Sequence, residues 1–152
     1  MAVRVQTGDF DLAREIEVLK AGNTNIGAIV TFTGAVRGDT KGVPISSMTL
    51  EHYPGMTETE LERVEAEALA RWPLDASLII HRVGELVPGD NIVLVVTASA
   101  HRLAAFEAAE FLMDYLKTRA PFWKKETPAS GGIGQWVDAR VSDQTALERW
   151  KR

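Results

Sequence analysis

The feature that most constrains the fold is the order of its segments: apolar, β-branched stretches come in pairs, and helical stretches separate the pairs. Strand patterns cover residues 26–36, 47–53, 77–83 and 91–98, and a last short strand is predicted near 133–140. Apolar residues at helical spacing cover 9–20, 57–72 and 101–119. The resulting order, α-β-β-α-β-β-α-β, differs from repeated βαβ units. It predicts an α+β fold with a largely antiparallel sheet.

Residues that start or stop helices set the predicted boundaries. Thr57 and Glu60 have the spacing of a capping box, in which two side chains satisfy free backbone N–H groups at a helix start. Trp72 precedes Pro73, and a residue before proline is disfavoured in a helix, so the second helix is predicted to end there. Pro121 ends the third and longest helix in the same way.

Length and charge narrow the class of protein. A chain of 152 residues is predicted to form a single domain, 1–152. Seventeen Lys and Arg against 21 Asp and Glu give a net charge of −4, which disfavours general nucleic-acid binding. No stretch approaches the ~18 consecutive apolar residues of a membrane span. The first residues lack the apolar core of a signal peptide, so we expect a cytoplasmic protein without membrane association.

The chain contains no cysteine. This excludes disulfides, Cys-ligated zinc, thiolate nucleophiles and any sulfur carried on the chain itself. Two histidines, His52 and His81, lie within predicted strands, and neither has a second ligand at metal spacing. They are interpreted as satisfied or exposed strand residues, and no metal or other cofactor is predicted.

A cluster of bases stands out in this acidic chain, because Lys117, Arg119, Lys124 and Lys125 follow one another with no acid between them. Attraction to the carboxyl end of a helix explains the first two. It explains the lysines beyond Pro121 less well. The alternative is an anion pocket, in which neighbouring ammonium groups repel one another and ease the loss of a proton from one of them. A lysine in such a pocket can act as general acid, general base or amine nucleophile. The residues alone leave both interpretations open.

Two more segments are candidates for anion binding. His101 and Arg102 lie where a strand gives way to a helix, and the free N–H groups of a helix start suit a phosphate. They are otherwise ordinary residues of a first helical turn. Arg37 lies in a glycine-rich loop after a strand, which either closes on a ligand or forms a plain surface turn.

Five sequence blocks together resemble the MoaE family, the large subunits of molybdopterin synthase. The resemblance runs from about Ile29 to Arg140, and its LEHYPGM and LKTRAPFWK strings are long and unusual in order. The blocks are TFTGAVR (31–37), LEHYPGMTE (50–58), HRVGELVPGD (81–90), SAHR with AFEA (99–108) and MDYLKTRAPFWKKE (113–126).

The resemblance implies an α/β hammerhead fold and a homodimer. Each large subunit of the family binds one small ubiquitin-like, MoaD-like subunit, which gives a heterotetramer. The small subunit ends in a Gly-Gly tail that carries a thiocarboxylate. Two sulfurs pass stepwise from this tail to cyclic pyranopterin monophosphate, which forms the dithiolene of molybdopterin in molybdenum cofactor biosynthesis. The lack of cysteine fits this scheme, because the sulfur arrives on the partner.

The resemblance also implies site residues. The catalytic lysine of the family matches Lys117, and a second active-site lysine matches Lys124. We expect Lys117 to act as general acid or base, or as an amine that engages the thiocarboxylate, and Lys124 to support charge on the leaving oxygen. Residue 35 is alanine where relatives often carry a base. The implied substrate contacts are Ala35, Val36, Arg37, His101, Arg102, Lys117, Lys124, Lys125, Glu126 and Arg140.

Two other functional classes compete with this sulfurtransferase. One is a non-catalytic module that captures the tail of a ubiquitin-like protein by β-augmentation. The other is a sensor of small phosphorylated ligands without a protein partner. A tail-binding module needs bases for a carboxylate but no substrate-sized pocket beside Lys117 and Lys124.

Overall fold

Two β-sheets and four helices make up the fold, in the computed structural model that describes residues 2–137 and 141–151. The helices are α1 (Leu12–Lys20), α2 (Met56–Arg71), α3 (Arg102–Thr118) and α4 (Val141–Glu148), with a 3₁₀ turn at Arg149–Lys151. The strands are β1 (Ala2–Gln6), β2 (Ala28–Ala35), β3 (Asp39–Thr40), β4 (Val43–His52), β5 (Leu74–Arg82), β6 (Gly84–Leu86), β7 (Asn91–Ser99), β8 (Phe122–Pro128) and β9 (Gln135–Val137).

Both sheets are almost entirely antiparallel. The first has the order β1-β5-β7-β2, in which only the β1–β5 pair is parallel. The second has the order β3-β4-β8-β9, and β6 also pairs with β4. The predicted α+β class with a largely antiparallel sheet is therefore confirmed.

The central strands of the first sheet are covered on both faces. Ile79 of β5 and Val95 of β7 face α2 and α3 in one core cluster that contains the fully buried Phe111. Ile80 and Leu94 face the other way and pack with residues of α1. Burial on both faces explains why these two strands are continuous apolar runs rather than alternating ones.

A second, smaller core lies where the two sheets meet. It consists of six buried residues from β4, β6 and the segments next to them, and Phe122 at the start of β8 packs against it. Its members are Val36, Ile45, Met48, Leu50, Val83 and Leu86. This apolar floor supports the candidate site described below.

The start of α2 differs from the prediction. The helix begins at Met56 with Gly55 as N-cap, and the Gly55 N–H donates to the Glu58 carboxylate. The predicted Thr57–Glu60 capping box is therefore wrong. The Thr57 hydroxyl accepts from the Tyr53 N–H (3.0 Å) and donates to the Pro121 carbonyl (3.1 Å), which ties α2 to the chain entering β8. The predicted helix end at Trp72 and Pro73 is confirmed, because α2 stops at Arg71.

Besides the 3₁₀ turn, five elements were not predicted: β1, β3, β6, β8 and α4. The α4 segment packs on the body, with Leu147 buried and the Trp150 indole donating to Asp114 Oδ2 (2.6 Å). The last predicted strand is confirmed over Gln135–Val137. Residues 138–140, including the predicted site residue Arg140, lie outside the described part of the chain. No helix among the described residues combines the length and apolarity that crossing a bilayer requires.

Candidate active site

Strand β8 directs two charged side chains toward the second core. Lys124 pairs with Leu50 and Glu126 pairs with Met48 on the neighbouring β4. Residues directly opposite in an antiparallel pair share a face, and both β4 residues are buried in the second core. The lysine and the glutamate therefore stand on the inner face of the sheet, at the rim of an apolar floor.

Glu126 links Lys124 to the glycine-rich loop. Its Oε1 lies 3.6 Å from Lys124 Nζ, and its Oε2 accepts a hydrogen bond from the Thr40 hydroxyl. The Glu126 side chain is only 12% exposed against 39% for Lys124, so the carboxylate is held in place while the ammonium reaches solvent. This arrangement orients Lys124 and balances one positive charge at the rim.

The end of β2 is held by backbone hydrogen bonds, and the exposed Arg37 side chain follows it. Val36 is buried, its N–H donates to the Asp90 carbonyl (2.9 Å), and its carbonyl accepts from the Gly89 N–H (2.9 Å). Ala35 is the last residue of β2. The Arg37 side chain is 67% exposed and lies 3.9 Å from Asp39, a weak surface pairing that leaves it able to turn toward an anion.

Lys117 lies in the last turn of α3, where the carboxyl end of the helix favours a positive charge. It is close enough to His81 for its charge to act on that imidazole. The His81 ring stacks on Phe122 with ring centroids 3.8 Å apart and an interplanar angle of 17°. Burial, followed by the Lys117 and His52 charges, lowers the pKa of His81 from 6.5 to about 4, although the Arg82 carbonyl opposes the shift. Lys124 follows Phe122 by two residues on the same face of β8, so each lysine neighbours one ring of the neutral stack.

Lys125 points to the opposite face of β8. It pairs with Trp136 on β9, and a Cβ added at Gly134 would lie 2.6 Å from Lys125 Cε, so the lysine stem packs against this glycine. On the same outer face Trp123 makes an edge contact with Tyr53, with centroids 4.9 Å apart. The structure therefore separates the adjacent lysines 124 and 125 by one sheet thickness.

His101 and Arg102 lie at the other end of α3. Arg102 and Lys117 are 15 positions apart, which corresponds to about 22 Å of helix at about 1.5 Å per residue. The His101 and Arg102 side chains are exposed and line a surface cavity beside Gly27, where a Cβ would lie 2.3 Å from the Ala100 carbonyl oxygen. Within one chain these two side chains do not meet Lys117.

Of the predicted site residues, the structure places Val36, which Ala35 and Arg37 adjoin, in the second core with the β4 residues that pair with Lys124 and Glu126, and it places Lys117 where its charge acts on His81 of the His81–Phe122 stack. It separates Lys125, His101 and Arg102 from that group. Sequence reasoning missed Thr40 and the stack itself. His81 was expected to be a satisfied or exposed strand residue, and it is a satisfied one. The alternation within FWKKETP was the available signal for the two faces of β8.

Comparison with known proteins gives a consistent result. The sequence profile of the family described as "MoaE protein" matches residues 5–119. A relative from Mesorhizobium japonicum, named molybdopterin synthase catalytic subunit, is 57% identical over 149 residues, which cover 98% of this chain and 92% of the relative.

Solved structures agree with the sequence comparisons. The MoaE protein from Burkholderia ambifaria superimposes with a TM-score of 0.84 at 52% identity, covering 100% of this chain and 99% of that one. The molybdopterin synthase structure from Staphylococcus aureus superimposes with a TM-score of 0.80 at 33% identity, covering 88% and 95%. The expected hammerhead architecture is confirmed, and the chain belongs to the MoaE family.

Proposed function

We propose that this chain is the catalytic subunit of a molybdopterin synthase. It would transfer sulfur from the C-terminal thiocarboxylate of a small ubiquitin-like subunit to cyclic pyranopterin monophosphate, forming the dithiolene of molybdopterin. The coarse activity is supported by family membership and by relatives that are similar over nearly their whole length. The observation that carries the proposal is that Lys117 acts on the His81 ring while Lys124 shares a face of β8 with Phe122, so that one lysine neighbours each ring of the stack beside an apolar floor.

The three cations of this region suit the charges of the reaction. The substrate carries a phosphate, and the Arg37 guanidinium can donate two parallel hydrogen bonds to it. Lys124, oriented by Glu126, would stabilise the negative charge that develops on the leaving oxygen. Because the second core excludes water from below, these interactions act in a medium of lower polarity than bulk solvent.

Lys117 is the proposed catalytic residue. As a general acid it would protonate the oxygen that sulfur displaces, and as an amine it would engage the carbonyl carbon of the tail. In both routes water supplies the replacing oxygen: it hydrolyses the thioester between tail and pterin in the first route and the acyl-lysine bond in the second, so that the sulfur stays on the pterin and the tail leaves as a carboxylate. This chain needs no thiol of its own in either route, which agrees with its lack of cysteine.

A homodimer would bring His101 and Arg102 to the site. His101 and Arg102 lie about 22 Å along α3 from Lys117, which is too far for one small substrate to touch both ends of the helix in one chain. We propose that these two residues serve the site of a second copy. Exposed apolar side chains near this end of α3 support the idea, since Leu103 is 68% and Phe106 59% exposed.

The small subunit is the second proposed partner. Its extended Gly-Gly tail would enter beside Lys117 and Lys124, because glycine lets a backbone approach other groups closely. One small subunit on each copy gives the proposed heterotetramer.

Reconstitution tests the proposal. The purified chain is mixed with thiocarboxylated small subunit and cyclic pyranopterin monophosphate, and dithiolene product is measured for the native chain, for Lys117→Ala and for the matched surface control Lys20→Ala at the end of α1. We expect product from the native chain and from the control, and none from Lys117→Ala. Tight binding of the small subunit without product from the native chain would favour the non-catalytic tail-binding module instead.

A further inference from the structure

His81 of β5 forms a contact between the first sheet and β8, the strand that carries Lys124. It lies near the end of β5 and is 9% exposed, and its ring stacks on Phe122 at 3.8 Å. The end of β5 is itself held, because the Arg82 guanidinium donates to the Thr7 carbonyl (3.0 Å) and the Asn91 carbonyl (3.0 Å). The imidazole is therefore a fixed surface against which β8 begins.

The hydrogen bond of the ring fixes its tautomer. His81 Nδ1 lies 2.9 Å from the Arg82 carbonyl oxygen. A carbonyl oxygen only accepts, so Nδ1 carries a proton, and in the neutral imidazole Nε2 then holds the lone pair. Burial keeps the pKa of this ring near 4, and the ring is uncharged at neutral pH.

Phe122 lies between the two lysines in sequence, five residues after Lys117 and two before Lys124. It packs against both the first and the second core. A shift of this ring would move the connection between α3 and β8. The separation of the Lys117 and Lys124 ammonium groups would change with it.

We infer that His81 is a positioning residue: its neutral ring fixes Phe122, and through Phe122 it sets the spacing between Lys117 and Lys124. This inference rests on the proposed function. The charged groups that face the ring are Lys117 from α3 and His52 from β4, whose Nε2 lies 3.4 Å from Glu58 Oε1. An uncharged ring adds no further repulsion to the Lys117 ammonium, whereas a cation at position 81 would.

Three substitutions of His81 test separately the stacked ring and the hydrogen bond to the Arg82 carbonyl. His81→Ala removes both, His81→Phe keeps a ring that can stack on Phe122, and His81→Asn keeps a donor for the Arg82 carbonyl. We expect His81→Ala to lower kcat about 10- to 100-fold with little change in KM for the pterin, since small displacements of reacting groups have effects of this size. His81→Phe should recover most of that loss, and His81→Asn should recover little.

Ile80→Ala is the matched control for lost packing. Ile80 is the preceding residue of β5 and is fully buried, but it faces the opposite cluster, away from β8. Its thermal unfolding midpoint should fall at least as far as that of His81→Ala, while its kcat stays at the native value. All variants are assayed at a temperature where circular dichroism shows them folded.

The outcomes are distinct. A kcat for His81→Ala no lower than that of Ile80→Ala, or full activity in His81→Asn, overturns the inference. If His81→Ala does not fold, the contrast between His81→Phe and His81→Asn decides alone. The native chain and Lys117→Ala are run in parallel: no product from the native chain contradicts the proposed function, retained activity in Lys117→Ala contradicts the role of Lys117, and a fully active His81→Ala beside an active native chain contradicts only the role of His81.

Discussion

The two sheets differ in how they use their side chains. In the first, β5 and β7 are apolar on both faces, and residues such as Ile79 and Leu94 have no exposed surface. In the second, β4 and β8 alternate, and charged groups of β8 stand directly beside the buried residues of β4. The comparison indicates that the first sheet contributes most of the free energy of unfolding. The second sheet has less apolar packing, because β8 carries charged side chains at the rim of the second core.

The largest expected effect tests the stabilising role of the first sheet. Phe111 is fully buried under it and contacts the rings of Trp72, Tyr115 and Trp150. Phe111→Ala should lower the free energy of unfolding by about 3–5 kcal/mol, as truncation of a buried aromatic does. Urea unfolding measures the loss. The kcat of the folded fraction should stay unchanged, and a marked fall in it would mean that the two sheets are not separable in this way.

The two faces of β8 give the next largest effect. Lys124→Ala should lower kcat about 100- to 1000-fold, the cost of removing one group that stabilises developing charge. Lys125→Ala should change kcat only a few-fold, because that side chain lies on the outer face against Gly134. Steady-state rates of the reconstituted enzyme compare the pair. Equal losses from the two substitutions would contradict the division of faces.

The free energy of unfolding should fall in acid because of His81, which lies between the two sheets. The pKa of His81 is about 4 in the folded chain against 6.5 in the ordinary residue, so the unfolded chain binds the extra proton between these values. Stability is therefore full above about pH 6.5 and falls by about 3 kcal/mol as the pH drops toward 4. Urea unfolding across this range measures it. His81→Phe should remove this part of the pH dependence, and an unchanged slope in that variant would assign it to other groups.

Glu65 should give the smallest effect, with the opposite sign. This carboxylate of α2 is buried and accepts from the Ser77 hydroxyl, and desolvation raises its pKa. The folded chain holds that proton to higher pH than the unfolded chain, so this contribution to stability is present at low pH and is lost as the pH rises. Glu65→Gln should remove this decline of stability with rising pH, which urea unfolding above the ordinary glutamate pKa of 4.5 measures. A slope that persists in Glu65→Gln would contradict this.

The sequence predicts the first sheet better than the second, for a physical reason. The runs in β5 and β7 and the helical spacing in α3 come from burial, which leaves a clear apolar pattern. β8 was not predicted, because Lys124 and Glu126 occupy inward positions where the pattern calls for apolar residues. The charged residues that form the candidate site also interrupt the apolar pattern from which β8 could have been predicted.

The candidate site was predicted in its residue types but not in its arrangement. The resemblance assigned catalytic roles to Lys117 and Lys124 and counted Lys125 among the substrate contacts, whereas the opposite faces of Lys124 and Lys125 depend on the register of β8 against β4. The Thr40–Glu126 contact joins residues 86 positions apart and leaves no local signal. The separation of Arg102 from Lys117 follows from the length of α3, which the predicted helix over 101–119 already contained.

Gly27 shows how little room for variation the far end of α3 allows. Any side chain there would meet the Ala100 carbonyl oxygen at 2.3 Å, and that oxygen belongs to backbone that cannot swing aside as a flexible side chain would. A mutational library of this chain should therefore return glycine alone at position 27, even though His101 and Arg102 beside it are exposed and sterically free to vary. Tolerance to substitution would then distinguish a steric constraint at Gly27 from a chemical constraint at His101 and Arg102.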